Sequence, residues 1–407
     1  MAFILGIWMW NRYFTPELEY APGTEQIALV KIDRDLRLAD ATAADPAWLR
    51  KLMGAGSREE VSADALKALA KLEAWQAMGK DSAFAHEIIL SVHRGEMVPT
   101  DRDEGGGMMS WWRARIYETL ESRGEMTGAW RVEYDRSLRA LRNRAIWLSS
   151  AMALVVAAGA FFLPFTAKVL VRGLKTRTKG YAAAWSPALG LTVFMVATLA
   201  WIGYVGTLDL GLESIASFPP LMGLFLDTAA RFLPVLIALG FLFKRPSHAI
   251  RVLGLDARPD LRLAFGMMPL LLILDLALRA AMENPNTTEP GGGLSLSDAG
   301  VSGLLFVIVS ACLVAPFTEE ILYRGVLFRS LSNRMGIIAA AVVSSLVFSA
   351  VHFYDLQGFV SVAIFGFVCA LLYRATGSLT TVIALHVIYN LSIKIPAWVF
   401  YHMRLDG

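Results

Sequence analysis

The chain has 407 residues, of which 56% are hydrophobic and only 18% are charged, and its formal net charge is +3. Soluble domains carry about 25% charged residues, so this composition excludes an ordinary soluble protein and predicts a chain that crosses a membrane several times. The modest net charge and the lack of a glycine-rich phosphate loop give no sign of nucleic acid as a partner. The two cysteines, Cys312 and Cys369, lie in apolar segments and form no Cys-x-x-Cys motif.

The first residues of the chain are apolar but too few to cross a membrane. Residues 1–14 begin with a run of ten residues without charge, whereas a transmembrane helix needs about 20. This run also lacks the basic region and the small-residue cleavage site of a signal peptide. We therefore expect a short, hydrophobic, anchor-like segment.

Residues 15–143 are polar and mixed in charge, and they predict a soluble, mainly helical domain. Within it, residues 58–78 repeat an apolar side chain every three or four positions, which is typical of an amphipathic helix. Residues 144–214 and 215–402 are different in character, because apolar segments dominate both. We expect additional transmembrane helices in the first of these regions and a membrane-embedded core in the second.

Eight apolar segments follow one another from residue 145 onward. They comprise residues 145–167, 183–206, 217–243, 263–282, 301–323, 335–352, 357–373 and 378–401. Their lengths predict an all-α fold, a polytopic helical membrane protein with about eight spans and an N-terminal, mainly helical soluble domain.

The loops between these segments alternate in basic content. Residues 168–182 and 244–262 each contain five Lys or Arg residues, whereas 207–216 and 283–300 contain none. The positive-inside rule places the basic loops in the cytoplasm and therefore places residues 15–143 outside it. Four arginines oppose this placement of the N-terminal domain, namely Arg136, Arg139, Arg142 and Arg144.

Three charged residues interrupt the fifth apolar segment. An ionisable side chain at membrane depth is costly, so Glu319, Glu320 and Arg324 mark a functional-site hypothesis. On a helix, Glu320 and Arg324 are one turn apart and can neutralise each other, which leaves Glu319 for chemistry. Two other pairs with this spacing, Asp227–Arg231 and Asp275–Arg279, are expected to lock helices together.

Two motifs with the same spacing follow, Phe348-x-x-x-His352 and His386-x-x-x-Asn390. Peptide hydrolysis needs a base that activates water and donors that hold the oxyanion. Glu319 and His352 can share the first task, and His386 and Asn390 can perform the second. Alternatively, Glu319, His352 and His386 can bind a zinc ion that keeps an open fourth position. The residues therefore leave three alternatives open: the metal-free site, the zinc site, and a purely structural ion pair with two packed histidines.

The three motifs resemble those of the CPBP intramembrane endopeptidases, a family that includes type II CAAX prenyl proteases and bacterial Abi proteins. The resemblance covers about residues 215–402 and implies an all-helical protease whose site lies within the membrane and faces the cytoplasm. It implies water activation by Glu319 and His352 and an oxyanion site formed by His386 and Asn390. The supporting residues that it implies are Glu320, Arg324 and Phe348. Members are catalogued as metalloproteases, and a metal-free glutamate mechanism is also argued, so zinc stays open.

The partners expected for such a protein are the lipid bilayer and membrane-anchored proteins or peptides as substrates, with no nucleic acid. We expect an integral protein of the bacterial cytoplasmic membrane. Two rival functions remain: a non-catalytic scaffold or regulator of the same fold, and an ion-coupled transporter that uses Asp227, Asp275 and Glu319.

One geometric condition follows from the predicted segments. If the fifth segment ends at residue 323 and the sixth runs straight from residue 335, His352 lies about 25 Å from Glu319. The site then requires either a tilted or shallow sixth segment, or a fifth segment that enters deeper, with Pro316 as the break. We predict that Glu319, His352 and His386 converge.

Overall fold

The computed structural model describes residues 24–74, 78–100, 109–176, 185–211, 220–281, 301–352, 354 and 356–401. Every regular element in this part of the chain is a helix, so the all-α prediction is confirmed. The described residues divide into two compact units, one formed by residues 153–395 and one by residues 24–152 with 396–401. The anchor-like segment expected at residues 1–14 lies outside the described residues.

The first unit along the chain is built from short helices. They are α1 (Thr24–Ala41), α2 (Ala47–Leu52), α3 (Arg58–Ala74), α4 (Lys80–Arg94), α5 (Trp111–Ser122) and the start of α6 (Trp130–Thr176). The apolar repeat predicted at residues 58–78 forms α3, whose Leu69 is completely buried beside Leu36 and Trp111. The side chain of Ser110 caps the first turn of α5 by accepting from the Arg113 backbone N–H.

Within the described part of the chain, seven helices are long and apolar enough to cross a membrane. They are α6, α7 (Pro187–Gly211), α8 (Pro220–Leu242), α10 (Leu261–Ala281), α11 (residues 301–335), α13 (Leu356–Thr376) and α14 (Leu379–Tyr401). Two shorter helices complete the set, α9 (Pro246–Leu253) and α12 (Ile337–Ala350). The predicted sixth segment is α12, which has 14 residues and is therefore too short to span a bilayer alone.

The outer faces of these helices carry large apolar side chains. Phe161 on α6 is 79% exposed and Leu221 on α8 is 80% exposed, and Phe241 and Leu276 are also outward-facing. Apolar patches of this kind are unfavourable in water, whereas contact with lipid tails removes the cost. The exposed surface therefore agrees with helices that are embedded in a bilayer.

Helix α11 differs from the prediction in length and in geometry. It contains two π-helical stretches, Val307–Val314 and Glu320–Phe328, on either side of the α-helical turn Ala315–Glu319. The helix continues through Pro316 and does not end at residue 323, so the predicted break at Pro316 and the predicted end of the segment are both wrong. Stretches of π-helix within α-helices are frequent at functional sites.

The longer α11 explains how His352 approaches Glu319. Helix α11 ends at Gly336, whose positive φ of 82° permits a sharp reversal into α12. Glu319 lies 17 positions before this glycine and His352 lies 16 positions after it. Two antiparallel helical stretches of similar length, each about 25 Å, therefore return His352 to the level of Glu319. The fifth helix is therefore longer than the predicted segment, because it continues beyond residue 323 to Met335.

Candidate active site

Glu320 lies at the centre of a buried cluster of charged and aromatic side chains. Its side chain is completely buried, and its Oε1 atom lies 3.1 Å from Nη1 of Arg324 and 2.8 Å from Nδ1 of His386. The ion pair with Arg324 has the one-turn spacing that the sequence predicts. His386, which comes from α14, adds a second positive or donating group and joins that helix to α11.

Glu319 lies on the neighbouring face of α11 and remains partly exposed. Its Oε2 atom is 3.9 Å from Nε2 of His386, and its Oε1 atom is 3.5 Å from Nη1 of Arg231 on α8. The imidazole of His386 thus lies between two carboxylates, with Nδ1 bonded to Glu320 and Nε2 directed toward Glu319. This arrangement gives the two carboxylates different roles, since only Glu319 keeps an exposed part.

The ring of Phe348 is the packing centre of the site. The guanidinium of Arg324 lies over this ring at 4.3 Å from its centroid, which is a favourable cation–π geometry. The rings of His352, Tyr323 and His386 have centroids 4.8, 5.0 and 6.1 Å from that of Phe348. The two imidazole centroids therefore lie no more than about 11 Å apart. The predicted convergence is observed, because His352, His386 and Glu319 all belong to this one cluster.

His352 is held in a defined tautomer. Its Nδ1 atom lies 2.7 Å from the backbone carbonyl of Phe348, and a carbonyl oxygen only accepts, so Nδ1 carries the proton. In the neutral ring, Nε2 is then an acceptor. Tyr354 stacks on the imidazole at 5.5 Å, and Glu319 is close enough to act on it electrostatically. His352 can therefore accept a proton through Nε2.

Asn390 occupies a position that follows from the π-helical geometry of α11. In this stretch each backbone N–H bonds the carbonyl five residues earlier, as Ala315 does with Ser310. The next residue, Pro316, has no N–H, so the carbonyl of Ala311 loses that partner. The side-chain amide of Asn390 donates to this carbonyl at 2.8 Å. One of its two N–H groups is thereby used to join α14 to α11.

A glycine on α13 permits close packing against the cluster. A Cβ atom at Gly366 would lie 3.0 Å from Nη2 of Arg324 and 3.2 Å from Cδ1 of Phe348. These distances are shorter than ordinary van der Waals contacts, so a larger residue at this point would force Arg324 or Phe348 to shift. The sequence gives no signal for this role, because the glycine has no motif around it.

The residues considered for zinc do not form a metal-binding group in this structure. Among the described residues, no three His, Cys, Asp or Glu side chains are arranged to hold a metal ion. Glu319, His352 and His386 are therefore close neighbours but do not fit the ligand set that the sequence left open.

Arg231 is the site residue that sequence reasoning missed. The pair with Asp227 is present, with Nε of Arg231 at 2.9 Å from Oδ2 of Asp227, but the guanidinium also reaches Glu319. One-turn spacing indicates only the partner on the same helix, so the contact from α8 to α11 was not visible. Asp275 accepts a hydrogen bond from the hydroxyl of Ser361 at 2.9 Å. The predicted pair of Asp275 with Arg279 stays a prediction, because the side chain of Arg279 lies outside the described residues.

Comparisons with known proteins converge on the part of the chain that holds this cluster. Residues 301–392 match a family model described as type II CAAX prenyl endopeptidase Rce1-like. The chain is also 33% identical over 91 residues to the Putative membrane peptidase YdiL of Bacillus subtilis (strain 168). That alignment covers 22% of this chain and 36% of the relative, so the chain spans about a third of the length of the curated relative it matches.

No match was found among solved structures. The matched residues include the whole of α12 and α13 and all three motifs, from Glu319 to Asn390. The resemblance predicted from these motifs is confirmed: residues 301–392 are similar to the type II CAAX prenyl endopeptidases of the CPBP family of membrane proteases.

Proposed function

We propose that this protein is an intramembrane endopeptidase that hydrolyses peptide bonds of membrane-associated proteins or peptides. The observation that carries the proposal is the position of His386, whose Nδ1 is 2.8 Å from Glu320 and whose Nε2 is 3.9 Å from Glu319. One carboxylate thus orients the imidazole, while the other lies beside it as a separate proton acceptor.

The first step of the proposed reaction is attack by water on the peptide carbonyl. Glu319 accepts one proton of the water, assisted by Nε2 of His352, while the water oxygen forms a bond with the carbonyl carbon. The negative charge then develops on the carbonyl oxygen. Nε2–H of His386 and the second N–H of Asn390 donate to that oxygen.

The second step breaks the carbon–nitrogen bond of the tetrahedral intermediate. As the carbonyl re-forms, Glu319 returns its proton to the leaving amine, so an amine and a carboxylic acid are released and Glu319 regains its starting charge. The acid then gives its remaining proton to the amine or to water, which leaves a new amino terminus and a new carboxylate. Arg324 and Phe348 support it by fixing Glu320 and the two imidazoles, as their contacts at 3.1 and 4.3 Å indicate.

We further propose that the protein lies in a bacterial cytoplasmic membrane with its site open to the cytoplasm, because the basic loops alternate with loops that lack basic residues. Membrane-anchored proteins or peptides are then the substrates within reach. The same positive-inside rule places residues 15–143 outside the cytoplasm.

The test compares new protein N-termini in membranes that contain equal amounts of wild type, Glu319→Ala or Glu118→Ala. Glu118 is a matched control, since it belongs to the N-terminal unit, is half-exposed and forms an ion pair with Arg115 at 2.9 Å. We expect termini that appear with wild type and Glu118→Ala and are absent with Glu319→Ala. Identical profiles for three folded proteins would overturn the proposal in favour of a scaffold.

Two further experiments test the transporter function and the dependence of cleavage on a metal. Substrate-dependent uptake into vesicles that survives His386→Ala would favour an ion-coupled transporter over the protease. Metal analysis of the purified protein, together with cleavage assays after chelation, separates a metal-dependent reaction from the metal-free scheme.

A further inference from the structure

Arg231 lies beside the carboxylate that the proposed reaction uses as its base. Its Nη1 atom is 3.5 Å from Oε1 of Glu319, whereas Oε2 of the same carboxylate faces Nε2 of His386 at 3.9 Å. The two oxygens of Glu319 therefore have different surroundings. One faces a permanent cation, and the other faces the imidazole of His386.

The guanidinium is itself held in place by a chain of contacts. Its Nε atom pairs with Oδ2 of Asp227 at 2.9 Å, one turn earlier on α8. The same Oδ2 atom accepts from the hydroxyl of Ser310, which is buried in the first π-helical stretch of α11. Ser310, Asp227, Arg231 and Glu319 thus form one connected series between α8 and α11.

The charges in this series suit a positioning role better than a substrate-binding role. Two carboxylates share one guanidinium, so the group has a net negative charge and Arg231 has no surplus for a substrate anion. A carboxylate at membrane depth is stabilised as an anion by a nearby cation. The planar guanidinium also fixes direction, because it presents its N–H groups in a rigid fork.

We propose that Arg231 is a positioning residue that binds Oε1 of Glu319 and so directs Oε2 toward the attacking water, with Asp227 and Ser310 holding the guanidinium. This inference rests on the proposed protease function. A purely structural role, in which Arg231 only locks α8 against α11, predicts lost stability without a specific loss of turnover.

The kinetic test uses the full-length protein in lipid nanodiscs and a peptide that spans a cleavage site found by the comparison of N-termini. Because a misplaced catalytic group costs about 10²-fold, we expect Arg231→Gln to lower kcat about 100-fold with KM unchanged. Arg231→Lys keeps the charge and should recover part of that loss. Asp227→Asn alone should lower kcat about 10-fold. Added to Arg231→Gln, it should lower kcat no further, because both changes act through the same contact.

Arg262→Gln is the matched control, because Arg262 also pairs with an aspartate, Asp260, at 2.9 Å but is exposed and lies outside the cluster. Its activity should stay within twofold of wild type. A loss of less than threefold in Arg231→Gln, or a loss that appears in KM alone, would overturn the inference. If Arg231→Gln does not fold, Arg231→Lys and Asp227→Asn apply the same criterion.

A readout without substrate separates this inference from the function on which it rests. The thermal unfolding temperatures of Arg231→Gln, Glu319→Gln and the double variant form a cycle, and we expect non-additive shifts because the two side chains interact. Additive shifts would contradict the contact itself. If Glu319→Ala leaves cleavage unchanged, the protease function fails; if Glu319→Ala abolishes cleavage and Arg231→Gln does not, only the positioning role fails.

Discussion

Each of the two units buries an arginine among acidic residues, and the two arginines are bound in different ways. In the N-terminal unit, Arg37 donates from Nε to Asp33 and from Nη1 to Ser137, both at 3.1 Å, and from Nη2 to the carbonyl of Met109. In the membrane unit, Arg324 is even more buried, and its contacts are the ion pair with Glu320 and the face of Phe348.

The difference lies in how much hydrogen-bonding capacity the protein itself uses. All three guanidinium nitrogens of Arg37 have acceptors, whereas no described protein group hydrogen-bonds Nη2 of Arg324 or Oε2 of Glu320. A buried polar group without a partner costs about 1–3 kcal/mol, and such costs are concentrated at functional sites. The first arginine therefore stabilises a fold, and the second maintains a charged site at the expense of stability.

The largest expected effect on stability comes from breaking the membrane pair. Glu320→Gln leaves the buried charge of Arg324 without its carboxylate, which costs about 3–5 kcal/mol in the free energy of unfolding. Asp33→Asn is the matched change in the N-terminal unit, where Arg37 keeps two other acceptors, and should cost about 1–2 kcal/mol. Denaturant unfolding in detergent measures both, and equal losses would remove the distinction between the two sites.

Asn390→Ala removes both the bond to Ala311 and the donor proposed for the oxyanion. Loss of one oxyanion donor lowers turnover about 10²-fold or more, so we expect a fall of that size in kcat. Ser392→Ala on the same helix, whose hydroxyl bonds only the carbonyl of Tyr389, is the control and should change little. Turnover of Asn390→Ala within threefold of wild type would show that the amide serves packing alone.

Gly366→Ala tests the close approach of α13 to Arg324 and Phe348. Alanine is favoured over glycine inside a helix by about 1 kcal/mol, but at this position its Cβ meets both side chains, and overpacking costs about 1–3 kcal/mol. We expect a lower unfolding temperature and reduced cleavage. Gly240→Ala on α8, where nothing lies within 4 Å of the added Cβ, should leave cleavage unchanged and leave the unfolding temperature unchanged or higher. A higher unfolding temperature for Gly366→Ala as well would contradict the packing described.

The smallest effect concerns a buried carboxylate in the N-terminal unit, that of Asp35. Burial raises the pKa of Asp35 from 3.8 to about 6, and its carboxylate accepts from the hydroxyl of Tyr401 at 3.0 Å. The folded protein then holds this proton more tightly than the unfolded chain, so stability falls as the pH rises from 4 through 6. Asp35→Asn should therefore raise the free energy of unfolding at pH 7.5 by about 1 kcal/mol and make it depend less on pH between 4 and 6. If the variant and the wild type show the same pH dependence, Asp35 is not its source.

Spacing along the sequence predicted contacts within a helix better than contacts between helices. Glu320 and Arg324 pair as one-turn spacing predicts, and the apolar segments are close to the observed helices. Arg231 is the counterexample, since its second partner comes from another helix. The spacing of residues within one helix contains no information about which other helices will pack against it.

The end of the fifth segment was misplaced for a physical reason. Arg324 and Arg329 look like the polar edge of a membrane span, yet they are only 1% and 5% exposed. Arg329 donates to the carbonyl of Val252 and lies near the hydroxyl of Tyr373, so its charge is accommodated inside the protein. Partners from distant segments thus let α11 continue to Met335, and only that length returns His352 to Glu319.

The most direct measurement compares cleavage and stability in wild type and Glu319→Gln, using the same nanodisc preparation and the cleavage-site peptide. Loss of a general base lowers turnover about 10²–10⁴-fold, and Glu319 is partly exposed with an ion pair of 3.5 Å, so stability should change little. We predict at least a 100-fold loss of kcat with an unfolding temperature within 2–3 °C, or about 1 kcal/mol, of wild type. Equal turnover in the two proteins would contradict the assignment of Glu319 as the base.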